Sequence, residues 1–166
     1  MEYQKFFLEE YTKVVAFLRK LGFGLDQAED AAQDAMFAAL GHWPLPKDRR
    51  RGWIRTAARR VAIREAEKAR SERPRLVAKG YGIGTRDGTE FQQLVDHRDE
   101  LSRLLSRLAH VEREVLVWSL DGFKAREIAA EMGLKSAGVV RVYLSRAKKK
   151  IARLLENGYL DQGETQ

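Results

Sequence analysis

Apolar residues recur every three or four positions through most of the chain, which is the spacing of one face of an α-helix. In the first such segment they form a stripe of seven side chains: Phe6, Phe7, Tyr11, Val14, Val15, Leu18 and Leu21. Gly22 and Gly24 follow this stripe and predict the end of the first helix. A second helix is predicted over residues 26–43, with Asp26 as its N-terminal cap and Pro44 just after its end.

A third helical pattern covers residues 51–73, with this apolar stripe: Trp53, Ile54, Ala57, Ala58, Val61 and Ala62. From residue 74 to about residue 97 the periodicity is lost and four glycines occur, so a flexible connection is predicted there. Helical spacing resumes near Asp99, with two apolar groups: Leu101, Leu104, Leu105 and Leu108, then Val115, Leu116, Trp118 and Leu120. No stretch alternates long enough to build a strand, so the sequence predicts an all-α protein.

The predicted organisation is two small helical domains over residues 1–74 and 99–156, a flexible linker over 75–98 and a polar tail over 157–166. The absence of cysteine excludes disulfides and zinc–thiolate sites and fits a reducing compartment. The N-terminus has no apolar run long enough for a signal peptide or a spanning helix. We therefore expect a cytoplasmic protein without membrane insertion.

The segment REIAAEMGLKSAGVVRVYLSRAKKK, residues 126–150, contains two helical patterns separated by Gly133. At about 100° per residue, the second pattern places four apolar side chains within about 60° of one another: Val140, Leu144, Ala147 and Ile151. The opposite face is small and basic: Gly138, Val142, Ser145 and Lys149, with Arg141 and Arg146 at its sides. Ser136 precedes this helix and can cap it. Such a face fits the DNA major groove, although two helices joined by a glycine turn also occur in other helical bundles.

The net charge of +7 is concentrated in two segments. Residues 47–75 hold twelve Lys or Arg against four acids, and residues 135–153 hold seven against none. Basic runs are often only solvated helix faces. Two of them on helical motifs, however, indicate a polyanionic partner such as nucleic acid.

Residues suited to catalysis are scarce in this sequence. His42, His97 and His110 have no acids around them at metal-ligand spacing. The glycine-rich stretch GYGIGTRDG, residues 80–88, lacks the lysine of a phosphate-binding loop. We therefore expect no enzymatic activity, no metal site and no cofactor.

Residues 107–155, RLAHVEREVLVWSLDGFKAREIAAEMGLKSAGVVRVYLSRAKKKIARLL, resemble region 4 of bacterial sigma factors of the extracytoplasmic-function group. Residues 26–40, followed by a basic loop and WIRTAARRVAI, resemble region 2 of the same group. The order of the two regions and the linker between them also match this minimal architecture. The resemblance implies a dissociable transcription initiation factor that joins core RNA polymerase and directs it to promoters.

The resemblance assigns three groups of residues to three contacts. Recognition of the −35 element would involve the last helix and its cap: Lys135, Ser136, Arg141, Val142, Ser145, Arg146 and Lys149. Recognition of the −10 element would involve the basic loop and the third helix: Lys47, Arg49, Arg50, Arg51, Trp53, Arg55, Arg59, Arg60 and Arg64. Binding to the clamp coiled coil of polymerase would involve the second helix: Glu29, Asp30, Gln33, Asp34 and Phe37.

Alternatives remain for two of these groups. Acids in the first turns of a helix are also explained by the helix dipole alone, and a tryptophan at helical spacing, such as Trp53, is often a core residue. The chain also departs from the family in two places. Arg60 stands where the family usually has an asparagine implicated in −10 recognition, and the turn GLKSAGVV is one residue longer than usual.

The partners that the resemblance implies are the clamp and flap of core RNA polymerase, promoter DNA and, in many members, an anti-sigma factor. The implied location is the cytoplasm, at the nucleoid. Two other functions are compatible with the residues themselves. A stand-alone dimeric helix-turn-helix regulator would bind operator half-sites one turn apart without polymerase, and an adaptor would use the N-terminal domain to bind another protein.

Overall fold

The structure is a computed structural model that describes residues 2–78 and 100–158, with the side chains of residues 73–78 excepted. Within these ranges it contains seven α-helices and no strand, which confirms the all-α prediction. The helices divide into two compact units, one in each range. The predicted linker, apart from its first residues, and most of the predicted tail lie outside the described residues.

The N-terminal unit packs three helices around an apolar core: α1 (Glu2–Lys20), α2 (Leu25–Gly41) and α3 (Arg50–Ala78). The inner face of α2 consists largely of buried alanines: Ala28, Ala31, Ala32, Ala35 and Ala39. Alanine leaves room for its neighbours, so larger buried side chains of α1 and α3 fill the space between the helices: Phe6, Val14, Phe17, Leu18 and Ile54.

The connection between α1 and α2 depends on glycine. Gly22 has a φ of 108°, a left-handed conformation that glycine adopts without strain. Gly24 precedes α2, and its backbone N–H donates to Oε1 of Gln27 at 3.2 Å. The cap predicted at Asp26 is therefore wrong. The helix starts at Leu25 and Asp26 lies in its first turn, where its charge still faces the positive end of the helix dipole.

α3 is longer than the sequence pattern indicates. The apolar periodicity fails from residue 74, but the helix continues to Ala78. Pro74 lies inside this helix, although an interior proline removes a backbone hydrogen bond and usually kinks or ends a helix. The predicted boundary of the first domain therefore falls inside a helix.

The C-terminal unit contains four helices: α4 (Glu100–Ser106), α5 (His110–Leu120), α6 (Ala125–Met132) and α7 (Ala137–Glu156). Its core is formed by buried side chains from all four: Leu105, Val115, Trp118, Ile128 and Val140. The Trp118 and Phe123 rings meet edge to face with their centroids 4.9 Å apart.

Two charged side chains connect α5 to the helices packed against it, α7 and α4. Nζ of Lys150 in α7 lies 2.8 Å from Oε2 of Glu112 in α5. Nε of Arg113 donates to the Leu105 carbonyl at 2.9 Å, close to the end of α4. The position of α7 within this unit is thus set by polar as well as apolar contacts.

No helix in either described range is both long and apolar enough to cross a membrane.

Candidate nucleic-acid interface

α6 and α7 form a helix-turn-helix whose turn is set by backbone geometry. Gly133 ends α6 with a φ of 67°, and the next residue, Leu134, donates its N–H to the Ala129 carbonyl at 2.9 Å. The backbone of Ser136 is extended, and its Oγ accepts a hydrogen bond from the Val139 N–H at 3.3 Å. This bond confirms Ser136 as the cap of α7.

The two faces of α7 are separated as the sequence predicts. Val140 and Ala147 are fully buried, and Leu144 and Ile151 are half-buried beside them. The outer face is exposed throughout: Lys135, Ser136, Gly138, Arg141, Val142, Ser145, Arg146 and Lys149. The first turn of α7 contains no acid. The positive end of the helix dipole therefore adds to the positive side chains, and the surface is suited to an anion.

The second basic surface comprises the loop between α2 and α3 and the first half of α3. Five of the predicted cations are exposed on it: Lys47, Arg49, Arg51, Arg60 and Arg64. Arg59 and Trp53 are half-buried, and the Trp53 ring meets His42 edge to face at 5.7 Å. At about 100° per residue, Trp53, Arg60 and Arg64 fall within about 40° of one another, so they share one face of α3.

Arg55 does not belong to this surface. Its side chain has no exposed area, and its Nη1 donates to Oε2 of Glu10 at 2.8 Å and to the Arg51 carbonyl at 2.9 Å. Glu10 is buried as well, and its Oε1 lies 3.3 Å from Nε of Arg51, which is 46% exposed. The predicted DNA contact of Arg55 is therefore wrong, because a buried guanidinium paired with a buried carboxylate does not reach a DNA strand.

The helical positions of Glu10 and Arg55 in the sequence indicate this ion pair, although the number of cations in the segment does not. Glu10 falls in the same stripe of α1 as Phe6, Val14 and Phe17, which are all buried. Arg55 falls on the buried side of α3, roughly 180° from the face that carries Arg64. An acid and a base at core positions of two helices indicate an ion pair, because a lone buried charge is unfavourable.

The Arg50 side chain also makes contacts within the protein. Its Nη2 donates to the Leu45 carbonyl at 2.8 Å, and its guanidinium lies 4.6 Å from the Trp43 ring centroid and 5.9 Å from the Phe6 ring centroid. The Trp43 and Phe6 rings are 5.5 Å apart. We name these four residues, Phe6, Trp43, Leu45 and Arg50, the Arg50 cluster. It joins the loop to α1.

Tyr3 supports the same loop. Its ring meets Trp43 edge to face at 5.4 Å, and its hydroxyl donates to the Met36 carbonyl at 2.6 Å. Burial raises the pKa of the Tyr3 hydroxyl, a group that is protonated and able to donate at neutral pH even without this shift.

A cavity of about 250 Å³ lies between α1 and the loop. Glu2 and Glu9 line it together with Lys47, Arg50 and Arg51. Since charges of both signs line this cavity, it does not present a purely anionic or cationic site. Among the residues that the structure describes, no group of His, Asp and Glu is arranged to hold a metal ion.

The outer face of α2 combines acids with exposed apolar side chains. Asp30, Gln33 and Asp34 are exposed, and Glu29 is half-buried. Phe37 is 79% exposed, and Leu40, one turn further along and absent from the sequence prediction, is 51% exposed. Helix capping does not explain two large apolar side chains in water, and such side chains are typical of a protein-binding surface.

Two family matches cover most of the chain. Residues 6–72 match the family described as Sigma-70 region 2, and residues 98–151 match the family described as Sigma-70, region 4. Among curated proteins, none matches the sequence significantly.

Two solved structures share the fold. One is the sigma factor RpoE in complex with the anti-sigma factor NepR from Bartonella quintana, with 19% identity and a TM-score of 0.65. That match covers 93% of this chain and 97% of the other. The second is CnrH in complex with the cytosolic domain of CnrY, with 20% identity, a TM-score of 0.64, and coverage of 94% of this chain and 88% of the other.

At these identities the structural likeness establishes the fold, and the two family matches establish the relationship. The chain belongs to the sigma-70 family, as a transcription initiation factor of the extracytoplasmic-function group whose partners are core RNA polymerase and promoter DNA.

Proposed function

We propose that three surfaces of this chain each make a different contact during promoter-dependent initiation. The outer face of α7 contacts the −35 element, the second basic surface contacts the −10 strand, and the outer face of α2 binds the polymerase clamp. The observation that carries the proposal is the outer face of α7, which is basic, free of acids in its first turn and backed by a buried apolar stripe.

The α7 face supports major-groove binding through its shape and its charge. Val142 and Ser145 are short enough to allow the helix close to the base edges, with Val142 able to contact a thymine methyl group. Arg141 and Arg146, at the two sides, can reach guanine edges or phosphates. Lys135 and Ser136 lie at the positive end of the helix, where a phosphate is favoured.

The second basic surface supports binding of a separated −10 strand. Lys47 and Arg49 supply positive charge on the loop, Arg51 supplies it at the start of α3, and Arg60 and Arg64 continue it along that helix. Single strands are typically bound by such a basic track together with an aromatic ring on which a base stacks. Trp53, half-buried on the same face as Arg60 and Arg64, is the candidate ring, with Arg59 beside the track.

The outer face of α2 supports binding to the clamp coiled coil. It offers acids to basic partner residues and the apolar pair Phe37 and Leu40 to an apolar groove or ridge. An anti-sigma factor that covered this face would compete with polymerase, and RpoE was solved in complex with the anti-sigma factor NepR. We therefore include an anti-sigma factor among the proposed partners.

The same reasoning leads us to propose a cytoplasmic site of action at the nucleoid, because both nucleic acid and polymerase are found there. We also propose that the chain has no enzymatic turnover of its own and that polymerase performs the chemistry.

The test is transcription by core polymerase from a library of genomic fragments with and without the full chain. We expect transcripts that start only when the chain is present and that share spaced −35 and −10 elements. Arg141→Ala should lower initiation at these promoters about tenfold without changing core binding. The matched control is Arg153→Ala, an exposed cation of the same helix about 18 Å further along.

Three results would contradict parts of the proposal. Equal loss in both variants, or loss of core binding by Arg141→Ala, would remove α7 from −35 recognition. Failure to bind core polymerase, combined with tight binding of the chain alone to a palindromic duplex, would favour the dimeric regulator instead.

A further inference from the structure

Arg50 lies in the middle of the second basic surface, yet its contacts are with the protein's own loop. It is half-buried, whereas its neighbours Arg49 and Arg51 are exposed. Its Nη2 donates to the Leu45 carbonyl at 2.8 Å, and its guanidinium lies 4.6 Å from the Trp43 ring centroid. One edge of the guanidinium is therefore occupied by the Leu45 carbonyl, and one face is occupied by the Trp43 ring.

The combination of contacts is specific to arginine. A planar guanidinium donates hydrogen bonds within its plane while its face lies on an aromatic ring. A lysine ammonium at the same place has no flat face and cannot reproduce both contacts. Arg50 is the first residue of α3, so its two contacts connect Trp43 and Leu45 of the loop to the start of that helix. The nearby Phe6 ring adds a contact from α1.

The start of α3 is fixed separately. Arg55, one turn further along, is held by Glu10 of α1 at 2.8 Å. The Arg50 cluster and the Glu10–Arg55 pair thus fasten the loop and the following helix at two places. The exposed Lys47 and Arg49 lie between Leu45 and the start of α3, so their positions depend on the Arg50 cluster.

We propose that Arg50 is a positioning residue for −10 recognition, which fixes the shape of the loop through Trp43 and Leu45 and does not bind DNA itself. The inference rests on the −10 role proposed for this surface. A loop held in one shape presents its side chains to a strand without a further ordering cost, and it discriminates better between strands that fit and strands that do not.

The test separates a positioning role from a phosphate contact by means of salt dependence. Holoenzyme is assembled from core polymerase and the full chain, and it selects a preferred −10 strand from a randomised single-stranded library. Dissociation constants are then measured for that strand and for its single-base mismatches between about 50 and 200 mM salt. The variants are Arg50→Ala, Arg50→Lys and, as the matched control, Arg49→Ala.

We expect Arg49→Ala to weaken all strands by a similar factor and to lower the salt slope by about 0.7, the value for one phosphate contact on a single strand. We expect Arg50→Ala to leave the slope unchanged and to reduce discrimination from about tenfold per mismatch to about threefold or less. Arg50→Lys should behave like Arg50→Ala, because the charge is retained but the paired contacts are lost.

Two outcomes would overturn the inference while leaving the −10 role intact. One is a lower salt slope in Arg50→Ala with rescue by Arg50→Lys, which would make Arg50 a DNA ligand. The other is unchanged discrimination in both variants. If the wild-type holoenzyme fails to discriminate −10 strands, the proposed function itself fails, and this is known before any variant is made.

Folding of each variant is checked first by its melting temperature and its affinity for core polymerase, both of which should stay close to wild type. If Arg50→Ala does not fold, Arg50→Lys decides the question, because it keeps the apolar stem and the charge of the side chain.

Discussion

Glu10 and Arg55 place one negative and one positive charge inside the apolar core of the N-terminal unit. Arg55→Leu removes the buried partner of Glu10 and leaves that carboxylate beside the partly exposed Arg51, so we expect it to lower the free energy of unfolding by about 3 kcal/mol, the low end for a broken buried ion pair. Adding Glu10→Leu should recover most of this loss, because both charges are then gone. Hydrogen exchange of the α1 and α3 amides in the full chain measures both effects.

The matched control for this prediction is Arg60→Leu, which removes an exposed arginine from the same helix. Its effect on the free energy of unfolding should be within about 0.5 kcal/mol. If Arg55→Leu costs no more than this control, the buried ion pair does not stabilise the unit.

Arg60 faces solvent on α3 at the position where the family usually has an asparagine. A guanidinium holds phosphate well but does not reproduce an asparagine contact to adenine. We expect Arg60→Ala to weaken binding of single-stranded DNA to holoenzyme by a similar factor for every sequence and to lower the salt slope by about 0.7. A sequence-dependent loss would instead make Arg60 a base contact.

At the level of single residues, the sequence predicts the exposure of the outer face of α7 better than that of the second basic surface. The helical phase of α7 predicts which of its positions face outward, and each residue predicted on that face is exposed. The arginines of α3 are assigned through the family resemblance, without regard to helical phase, and this assignment includes Arg55, which the helical phase places in the core. The Arg50 cluster was beyond prediction because it depends on the path of a loop.

Among the helices, α7 depends most clearly on a single cap. Ser136→Ala removes the acceptor of the Val139 N–H, so we expect a loss of about 1 kcal/mol in the stability of the C-terminal unit. Ser136→Asn keeps a capping oxygen and should lose less. Thermal unfolding of both variants, followed by hydrogen exchange in α7, tests the difference, and equal losses would mean that the cap bond contributes little.

The outer face of α2 has two explanations that a charge reversal can separate. If it binds the polymerase clamp, Asp34→Lys should weaken binding to core polymerase about tenfold or more. If its acids serve only the helix dipole, affinity should stay unchanged. Glu67→Lys, which makes the same change at an exposed acid of α3, controls for net charge.

The helices themselves were largely predictable, and their ends were less so. Apolar periodicity located all three helices of the N-terminal unit, but α2 starts at Leu25 without help from an Asp26 cap and α3 continues past residue 74. Periodicity reports which side of a helix is buried. It does not report where backbone hydrogen bonding stops, which depends on local capping groups such as Gln27.

For the molecule as a whole, the placement of charge predicts how the free chain behaves. Two basic surfaces favour any polyanion, so without polymerase the chain should bind promoter and shuffled duplexes alike, with dissociation constants of about 10⁻⁴–10⁻⁶ M at physiological salt. Discrimination should appear only with core polymerase. Titration of both duplexes with and without core measures this, and strong discrimination by the chain alone would contradict it.

The division of α7 into a buried stripe and an exposed face has a consequence for how such factors diversify. The residues that hold the helix in its unit, Val140 and Ala147 above all, are different from the exposed residues proposed to contact DNA. If the proposed −35 role of this face holds, exchanges at Arg141, Val142 or Ser145 should alter promoter choice with little cost to folding. Randomising those few exposed positions on an unchanged scaffold is therefore a route to variants that act on different promoters in one cell without activating one another's genes.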